Sequence, residues 1–500
     1  MLTPIIVAII YSEPKFIFSF FFSGIVSIIV GIVFIKVFKK YKMSLKVAMI
    51  FSTFIWLVAS LLGSLPFFIS GELTFINSFF EAISGFTTTG FSMYNSIESA
   101  GFAINFWRGM TQWIGGLGII FTMIIILRSS GTSIMRLYNA EGRSERILPS
   151  IRNTSKIILY IYLFLTVVGV FLFIISGLPL FDSIFYTFVS LSTGGFALNS
   201  NSILYYNNGW VELAAMVVMI LGSINFALVY LLFKRKFREF FNDIETKVAI
   251  IIIPLFIIIV SVALIEFNVY GNISENIRFG AFQIVSAIST TGLQTVFYPE
   301  ILNSWPAITF FIIIISMIIG GGSGSTSGGI KWLRIGLLFK AIFWQIKSFL
   351  LPGAVIPKKI NHFQGLKVNN DLLRITGLFI FLYIFVYVIS VLIVLSYYNN
   401  LSQVLFEIAS AMGNVGLTSG ILTPNSPDFI KIVFMIDFWL GRLEIWPVLL
   451  VLFMGLATIK DKLRFNHYIF ISKIISYKIN YNNCENYSDY NNIIIFIIII

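Results

Sequence analysis

Four stretches of the chain decide its fold: FEAISGFTTTG at residues 80–90, FYTFVSLSTGG at 185–195, FQIVSAISTTG at 282–292 and FEIASAMGNVG at 406–416. Aligned on their last glycines, Gly90, Gly195, Gly292 and Gly416, they share one register. Phe80, Phe185, Phe282 and Phe406 stand ten places before that glycine, and Ser84, Ser190, Ser286 and Ser410 five or six places before it. A large apolar residue (Phe91, Phe196, Leu293, Leu417) follows it directly. In a chain with 53 phenylalanines a single matching column arises by chance. Several columns in one register make an internal repeat.

Each short segment lies between two longer apolar runs: 44–69 and 103–127, 157–175 and 211–233, 248–265 and 305–339, 372–395 and 430–459. The repeat therefore divides the chain into units at 44–128, 153–234, 246–340 and 371–459. Residues 1–43 precede them as a pair of transmembrane segments, the first too short to span. Residues 460–500 follow as a low-complexity tail ending in NNIIIFIIII, to which no function is assigned.

The surroundings of these segments are lipid. Of the 500 residues, 58% are hydrophobic and 11% charged, with a mean hydropathy of +0.92; an ordinary soluble domain is roughly 45–50% apolar and about 25% charged. Several apolar runs reach the ~20 residues that cross a bilayer. Disorder, a disulfide scaffold and a soluble enzyme are excluded, and a helical protein of many spans is expected.

The net charge of +12 does not point to nucleic acid, because its distribution follows the membrane. Of 34 Lys and Arg, 29 fall in five clusters, within 36–46, 128–156, 234–247, 331–374 and 460–478. The alternate connections carry Glu72, Glu98, Glu266, Glu275 and Glu300. Basic loops lie on the cytoplasmic side of a plasma membrane, which places the tail there too. One cysteine, Cys484, and two histidines, His362 and His467, leave a transition-metal enzyme almost nothing to coordinate with.

On this topology each short segment enters from outside and returns there. Such a re-entrant backbone persists only where it is buried in protein or lines a watery cavity. A short helix ending in mid-membrane aims its partly negative C-terminus at the centre. The glycines at the break allow positive φ, so that consecutive carbonyls face one axis. Four such strands make rings of backbone oxygen that replace a cation's hydration shell, the arrangement known from potassium-channel filters. No carboxylate lies among the three residues before each glycine, so a dehydrated monovalent cation fits better than calcium or magnesium. Glu81 and Glu407, at the starts of two short helices, are either structural or draw cations to the mouth.

Two further features read as gate parts. Residues 320–329, GGGSGSTSGG, interrupt the last run of the third unit. They form either a non-helical loop lining the cavity, the favoured reading, or a close-packed helix of small residues. A phosphate-binding loop is excluded, since Ile330 stands where Lys is needed. Arg442 stands within the 430–459 run, where a charge costs about 2.5–3.5 kcal/mol. It either faces the pore and repels cations or pairs with Asp437 or Glu444. Arg108, at the outer start of its run, is expected to snorkel or cap.

These residues resemble the Trk/Ktr/HKT superfamily of potassium transporters, and within it the TrkH-type subunit. The matches are FTTTGF (86–91), STGGF (192–196), STTGL (289–293), GNVGL (413–417), WRGMTQWIGGLGI (107–119), GSTSGGIKWLR (324–334) and GRLEIWPVLLVLF (441–453), and the resemblance covers residues 5–455. It implies an all-α polytopic membrane protein of four fused M1–pore helix–M2 units in pseudo-fourfold arrangement, preceded by about two extra transmembrane helices. It implies potassium, the transported ion, at Thr88, Thr89 and Gly90, at Thr193, Gly194 and Gly195, at Thr290, Thr291 and Gly292, and at Asn414, Val415 and Gly416. It further implies an intramembrane gating loop containing Gly320, Gly321, Gly322, Gly324, Gly328 and Gly329, with Arg442 facing the pore. A homodimer in the bacterial inner membrane, a cytosolic ring of nucleotide-binding regulatory subunits (of NAD or ATP type) and no cofactor in this chain are also implied. Glycine at all four filters is similar to the potassium-selective members rather than to those with Ser in the first filter, which pass sodium. A sodium-permeable or sodium-coupled member is the alternative reading; a polytopic membrane enzyme, such as a lipid-linked transferase, lacks the clustered acids or metal ligands it needs.

Overall fold

The computed structural model describes residues 1–37, 45–129, 151–351, 359–362, 366–368 and 370–454. Residues 1–447 form one compact unit, and 448–500 a second, whose described residues, 448–454, are helical. The tail at 460–500 and most of the basic run at 128–156 lie outside the described residues.

Long apolar helices dominate. Pro14–Val37, Leu45–Ile69, Phe102–Ser129, Ile151–Ile175, Ile244–Glu266 and Asn370–Leu395 have 23 to 28 residues each. At 1.5 Å per residue such lengths cross a ~30 Å hydrocarbon layer. Their outward faces carry large exposed apolar side chains, such as Ile251, Ile258, Phe381 and Leu392. Water would penalise that arrangement over a whole helix, whereas lipid does not. The chain is a multi-pass membrane protein.

Between the long helices lie four short ones, Phe75–Phe86, Leu180–Leu191, Ile273–Ile288 and Leu401–Gly413. Their shared phenylalanines, Phe80, Phe185, Phe282 and Phe406, are at most 1% exposed. They anchor the helices sideways: Phe80 packs edge-on against Phe438 at 5.2 Å, and Phe406 stacks on Phe310 at 5.9 Å.

Two of the runs expected to be continuous are not, and a third is interrupted as expected. The 211–233 run is two helices, Gly209–Ser223 and Phe226–Phe233, bent by 103° at Ile224–Asn225. Asn225 makes the bend possible by capping the second piece through its side-chain oxygen to Ala227 N. The 305–339 run is Ala307–Ile319 and Trp332–Leu350 with a non-helical loop between them. The 430–459 run stops at Arg442, after which Glu444 and Ile445 take positive φ. The N-terminal helix, Thr3–Ile10, has eight residues and buries Pro4 and Ala8 without reaching spanning length. Among the described residues the one sheet is a hairpin of Lys359–Ile360 with Leu366–Lys367.

Candidate functional site

All four short helices end in the same cap. The amide of Thr89 bonds Ser84 O, Gly194 bonds Val189 O, Thr291 bonds Ser286 O and Val415 bonds Ser410 O, at 2.8–3.0 Å and each five residues back. The preceding amides, those of Thr88, Thr193, Thr290 and Asn414, bond carbonyls three residues back. This pair of bonds is the Schellman motif, which needs a left-handed residue just past the helix. Thr88, Thr193, Thr290 and Asn414 supply it, with φ between 51° and 58°. Threonine in that region costs about 1–2 kcal/mol relative to the right-handed form. Three strained threonines in equivalent places are held there by the surrounding packing.

Two residues later the backbone turns left-handed again, at Gly90, Gly195, Gly292 and Gly416 (φ 83–98°). Between the two turns lie Thr89, Gly194, Thr291 and Val415, and their carbonyls close a circuit. A Cβ on Gly90 would strike Gly194 O; on Gly195, Thr291 O; on Gly292, Val415 O; on Gly416, Thr89 O. Each strand thus presents its carbonyl to the preceding strand's glycine, and the first presents its own to the fourth. Glycine is required at these four positions twice over, by φ and by the oxygen lying where a side chain would be. Just below, Thr88 Oγ1 and Asn414 Oδ1 are buried without a protein partner.

The strands leaving the ring are tied back to their own helices. The residue nine places before each glycine does this: Glu81 accepts from Met93 N (2.7 Å), Tyr186 from Leu198 N (3.4 Å) and Glu407 from Ser419 N (2.5 Å), while Gln283 donates to Val296 O (3.4 Å). Glu81 and Glu407 are fully buried, so of the two readings above the structural one holds. Arg108 does not snorkel or cap. It is fully buried, pairs with Glu81 at 2.7 Å and donates to Ala197 O of the second strand at 2.9 Å. A buried ion pair persists where further hydrogen bonds satisfy it, and Ser92, Asn105 and Ala197 supply them. The polar column at the ninth position was visible in the sequence; its diversity, Glu, Tyr, Gln, Glu, concealed it.

Directly beneath the helix ends lies the loop 320–329, bonded to two of the four strands and packed closely against a third. Thr326 Oγ1 donates to Leu191 O (3.0 Å) and accepts from Thr193 Oγ1 (3.3 Å). Ser327 Oγ donates to Ser289 O (2.7 Å), and Gly328 N to Thr290 Oγ1 (2.9 Å). A Cβ on Gly328 would strike Gly413 O. The bend in the second unit receives the other side of the loop, where Gly322 N donates to Ser223 O and Thr326 N to Gly222 O. Glu245 accepts from Ser323 N at 2.9 Å. Gly320, Gly324 and Gly329 take positive φ, which ends one helix and lets the next begin; Gly321 packs against Ser327. The residues that receive the loop, Gly222, Ser223 and Asn225, carried no signal, because they sit within a run that reads as uninterrupted helix.

Arg442 reaches this loop from the end of Asp428–Arg442. Its guanidinium donates to Thr326 O and, at 2.9 Å, to Gly115 O, 5.6 Å above the Trp56 ring. The partners offered from sequence are engaged elsewhere: Glu444 pairs with Arg334, and Asp437 accepts from Ser390 Oγ at 2.7 Å. Arg442 therefore bridges the loop to the first unit. The four strands, the loop and this arginine converge on one buried locus, whereas His362 lies apart from it against Asp243 at 3.1 Å. Among the described residues no group of three His, Cys, Asp or Glu forms a metal site.

Glu98 links the first two units, accepting from Ser200 N at 2.6 Å and Ser200 Oγ at 2.9 Å. The Ser200 amide, chiefly, lowers its carboxyl to about 2.

Residues 16–457 match the TrkH family model of cation transport proteins. An uncharacterised cation transporter of Methanocaldococcus jannaschii is 33% identical over 90% of this chain and 91% of its own length. The Trk system potassium uptake protein TrkG of Escherichia coli K12 is 31% identical over 91% of this chain and 94% of its own. The crystal structure of the potassium transporter TrkH from Vibrio parahaemolyticus superposes with a TM-score of 0.80, at 27% identity, covering 90% of this chain and 94% of that one. With the fold, the repeated filter-like ends and these relatives in agreement, the chain belongs to the TrkH family of cation transport proteins.

Proposed function

We propose that the protein takes up potassium across the plasma membrane, with the carbonyl circuit as its selectivity filter. The observation that carries this reading is the closed circuit: four neutral carbonyls, those of Thr89, Gly194, Thr291 and Val415, each against the glycine of a neighbouring strand. Neutral carbonyls at a fixed spacing replace the hydration shell of a large monovalent ion. The names of relatives such as TrkG and TrkH support potassium over sodium. Thr88, Thr193, Thr290 and Asn414 provide the inner approach to the ring, and the loop 320–329 with Arg442 is the gate below it. The basic loops face the cytoplasm, where a ring of nucleotide-binding regulatory subunits docks on a homodimer.

The test is reconstitution of the full chain in liposomes, with potassium and sodium uptake followed side by side. Potassium is expected to be taken up well ahead of sodium, and Gly90→Ser, whose Cβ strikes Gly194 O, is expected to lower that preference at least about tenfold. Equal entry of sodium in the wild-type chain would replace this reading with a sodium-permeable one. Unchanged preference in Gly90→Ser would remove the circuit from selectivity.

A further inference from the structure

The second strand of the circuit departs from the others at one position. Before the ring glycine the other strands carry Thr89, Thr291 and Val415, whose side chains fix the backbone. Thr89 Oγ1 bonds Thr87 Oγ1 at 2.7 Å and accepts from Asn414 Nδ2 at 3.0 Å. Thr291 Oγ1 bonds Ser289 Oγ at 2.8 Å, and Val415 packs into the apolar core of the third and fourth units. The second strand has Gly194 there, followed by Gly195. Two consecutive glycines are the most mobile backbone of the four strands.

The place of the missing side chain is taken from outside. Gln112, fully buried on the helix Phe102–Ser129 of the first unit, donates from Nε2 to Gly194 O at 2.5 Å. Its Oε1 accepts from Phe196 N at 3.2 Å. A Cβ on Gly194 would run into the Gln112 side chain, so the glycine and the glutamine occupy one space between them. Arg108, four residues earlier and hence on the same helical face, bonds Ala197 O one residue further along. Gln112 thus spans the ring glycine, one bond to the carbonyl before it and one to the amide after it.

We infer that Gln112 is a specificity-determining positioning residue: it holds the second filter strand in place and sets the ligand strength of the Gly194 carbonyl. The inference rests on the potassium reading above. Gly194 O is a member of the circuit, and it is also an acceptor of a side-chain amide. A carbonyl that already accepts a hydrogen bond presents a weaker field to an ion, and the field strength of the ligands is one determinant of selectivity among monovalent cations. The same bond restrains an oxygen that Gly-Gly backbone would leave free to follow a smaller ion.

The test uses the full chain in liposomes and reads the ratio of potassium to sodium uptake, together with the KM for potassium. Gln112→Ala removes both bonds, and the ratio is expected to fall about fivefold, the worth of one lost hydrogen bond. Gln112→Glu keeps the size of the side chain and its acceptor for Phe196 N but loses the donor to Gly194 O; it is expected to lower the ratio as well, and it carries the measurement if the alanine variant does not fold. The decisive variant is the double Gln112→Ala, Gly194→Thr. The φ of Gly194 is not in the left-handed region, and of the atoms a Cβ there would strike only the residue-112 Cβ, at 2.9 Å, outlasts the change to alanine, so threonine is admitted by a small shift of that one contact. It restores the Thr-Thr-Gly pattern of the first and third strands and is expected to return the ratio to within about twofold of wild type. A merely structural role for Gln112 would lower the amount of folded protein and leave the ratio alone. A wild-type ratio in both single variants, or a double variant no better than Gln112→Ala, would overturn the inference. If the wild-type chain itself fails to prefer potassium, the potassium reading has failed, and that failure is visible without any variant.

Discussion

The layer of the four short helices and the layer just beneath it follow opposite rules. In the first layer the four repeats agree bond for bond: the same helix cap, the same left-handed residue at Thr88, Thr193, Thr290 and Asn414, the same ring glycine. Beneath them the second long helices disagree in every unit where they can be compared. One is bent by 103°, one is opened by a loop of Gly, Ser and Thr, and one ends at Arg442. On the reading proposed above, four carbonyls act together on one ion and must be equivalent, which holds this geometry to a common form. A gate needs a part that the other three units lack, because one obstruction suffices on a single axis. On that reading symmetry serves the proposed filter, and its loss serves the proposed gate.

The largest expected effects test the symmetric half. Each ring glycine meets a neighbour's carbonyl in the same way, so Gly195→Ser, Gly292→Ser and Gly416→Ser are expected to match Gly90→Ser, each lowering potassium preference at least about tenfold. Flux ratios in liposomes check this. A series in which one position tolerates serine while the others do not would break the equivalence of the four strands at that strand.

The next effect tests the asymmetric half. Arg442 holds Thr326 O and Gly115 O through charge-assisted bonds, each worth about 1.5–3 kcal/mol. Arg442→Ala releases the loop from the first unit and removes a positive charge from beneath the ring. Potassium flux is expected to rise about tenfold with its preference over sodium unchanged, and a deletion within 320–329 is expected to do the same. Wild-type flux in both variants would take the loop and the arginine out of gating. A change in preference would show that the lower layer also shapes the filter.

How much of this was legible in the sequence follows the same division. The four strands were readable because repetition exposes a shared register, and the ring glycines and their neighbours came out of that register directly. The loop 320–329 was readable because Gly and Ser cannot continue a helix. Arg108 was misread as an interfacial residue because its partner Glu81 lies 27 residues away on another helix, a distance that no local periodicity reports. Gln112 was hidden in the same way, since a glutamine on an apolar helix announces a polar contact but not its address. The bend at Asn225 stayed invisible because Gly222, Ser223 and Asn225 are a brief interruption of an otherwise apolar run, and what opens that helix is the loop from another unit bonding Gly222 O and Ser223 O. Repeats and breakers are written locally; clamps between units are not.

The smallest effect concerns the loops that carry Glu98 and Ser200, where symmetry is no longer needed and the contacts are merely holding ones. Glu98 accepts from the Ser200 amide and hydroxyl and from Ser96 Oγ, and its carboxyl titrates near 2 instead of the usual value of about 4.3. A carboxyl whose folded value is depressed contributes its stability above the unfolded value and loses it as pH falls through the folded one. The link between the first two units is therefore complete from about pH 5 upward and fades between about pH 4 and pH 2. Because the group is largely exposed, solvent screens the contribution. Glu98→Gln is accordingly expected to leave potassium flux within about twofold of wild type at every external pH from 5 to 8, while hydrogen exchange at the Ser200 amide becomes faster. A flux that turns pH-dependent in that range on this substitution would mean that these loops bear on the filter, and that the boundary between the equivalent strands and their freely varying surroundings lies further out than the ring.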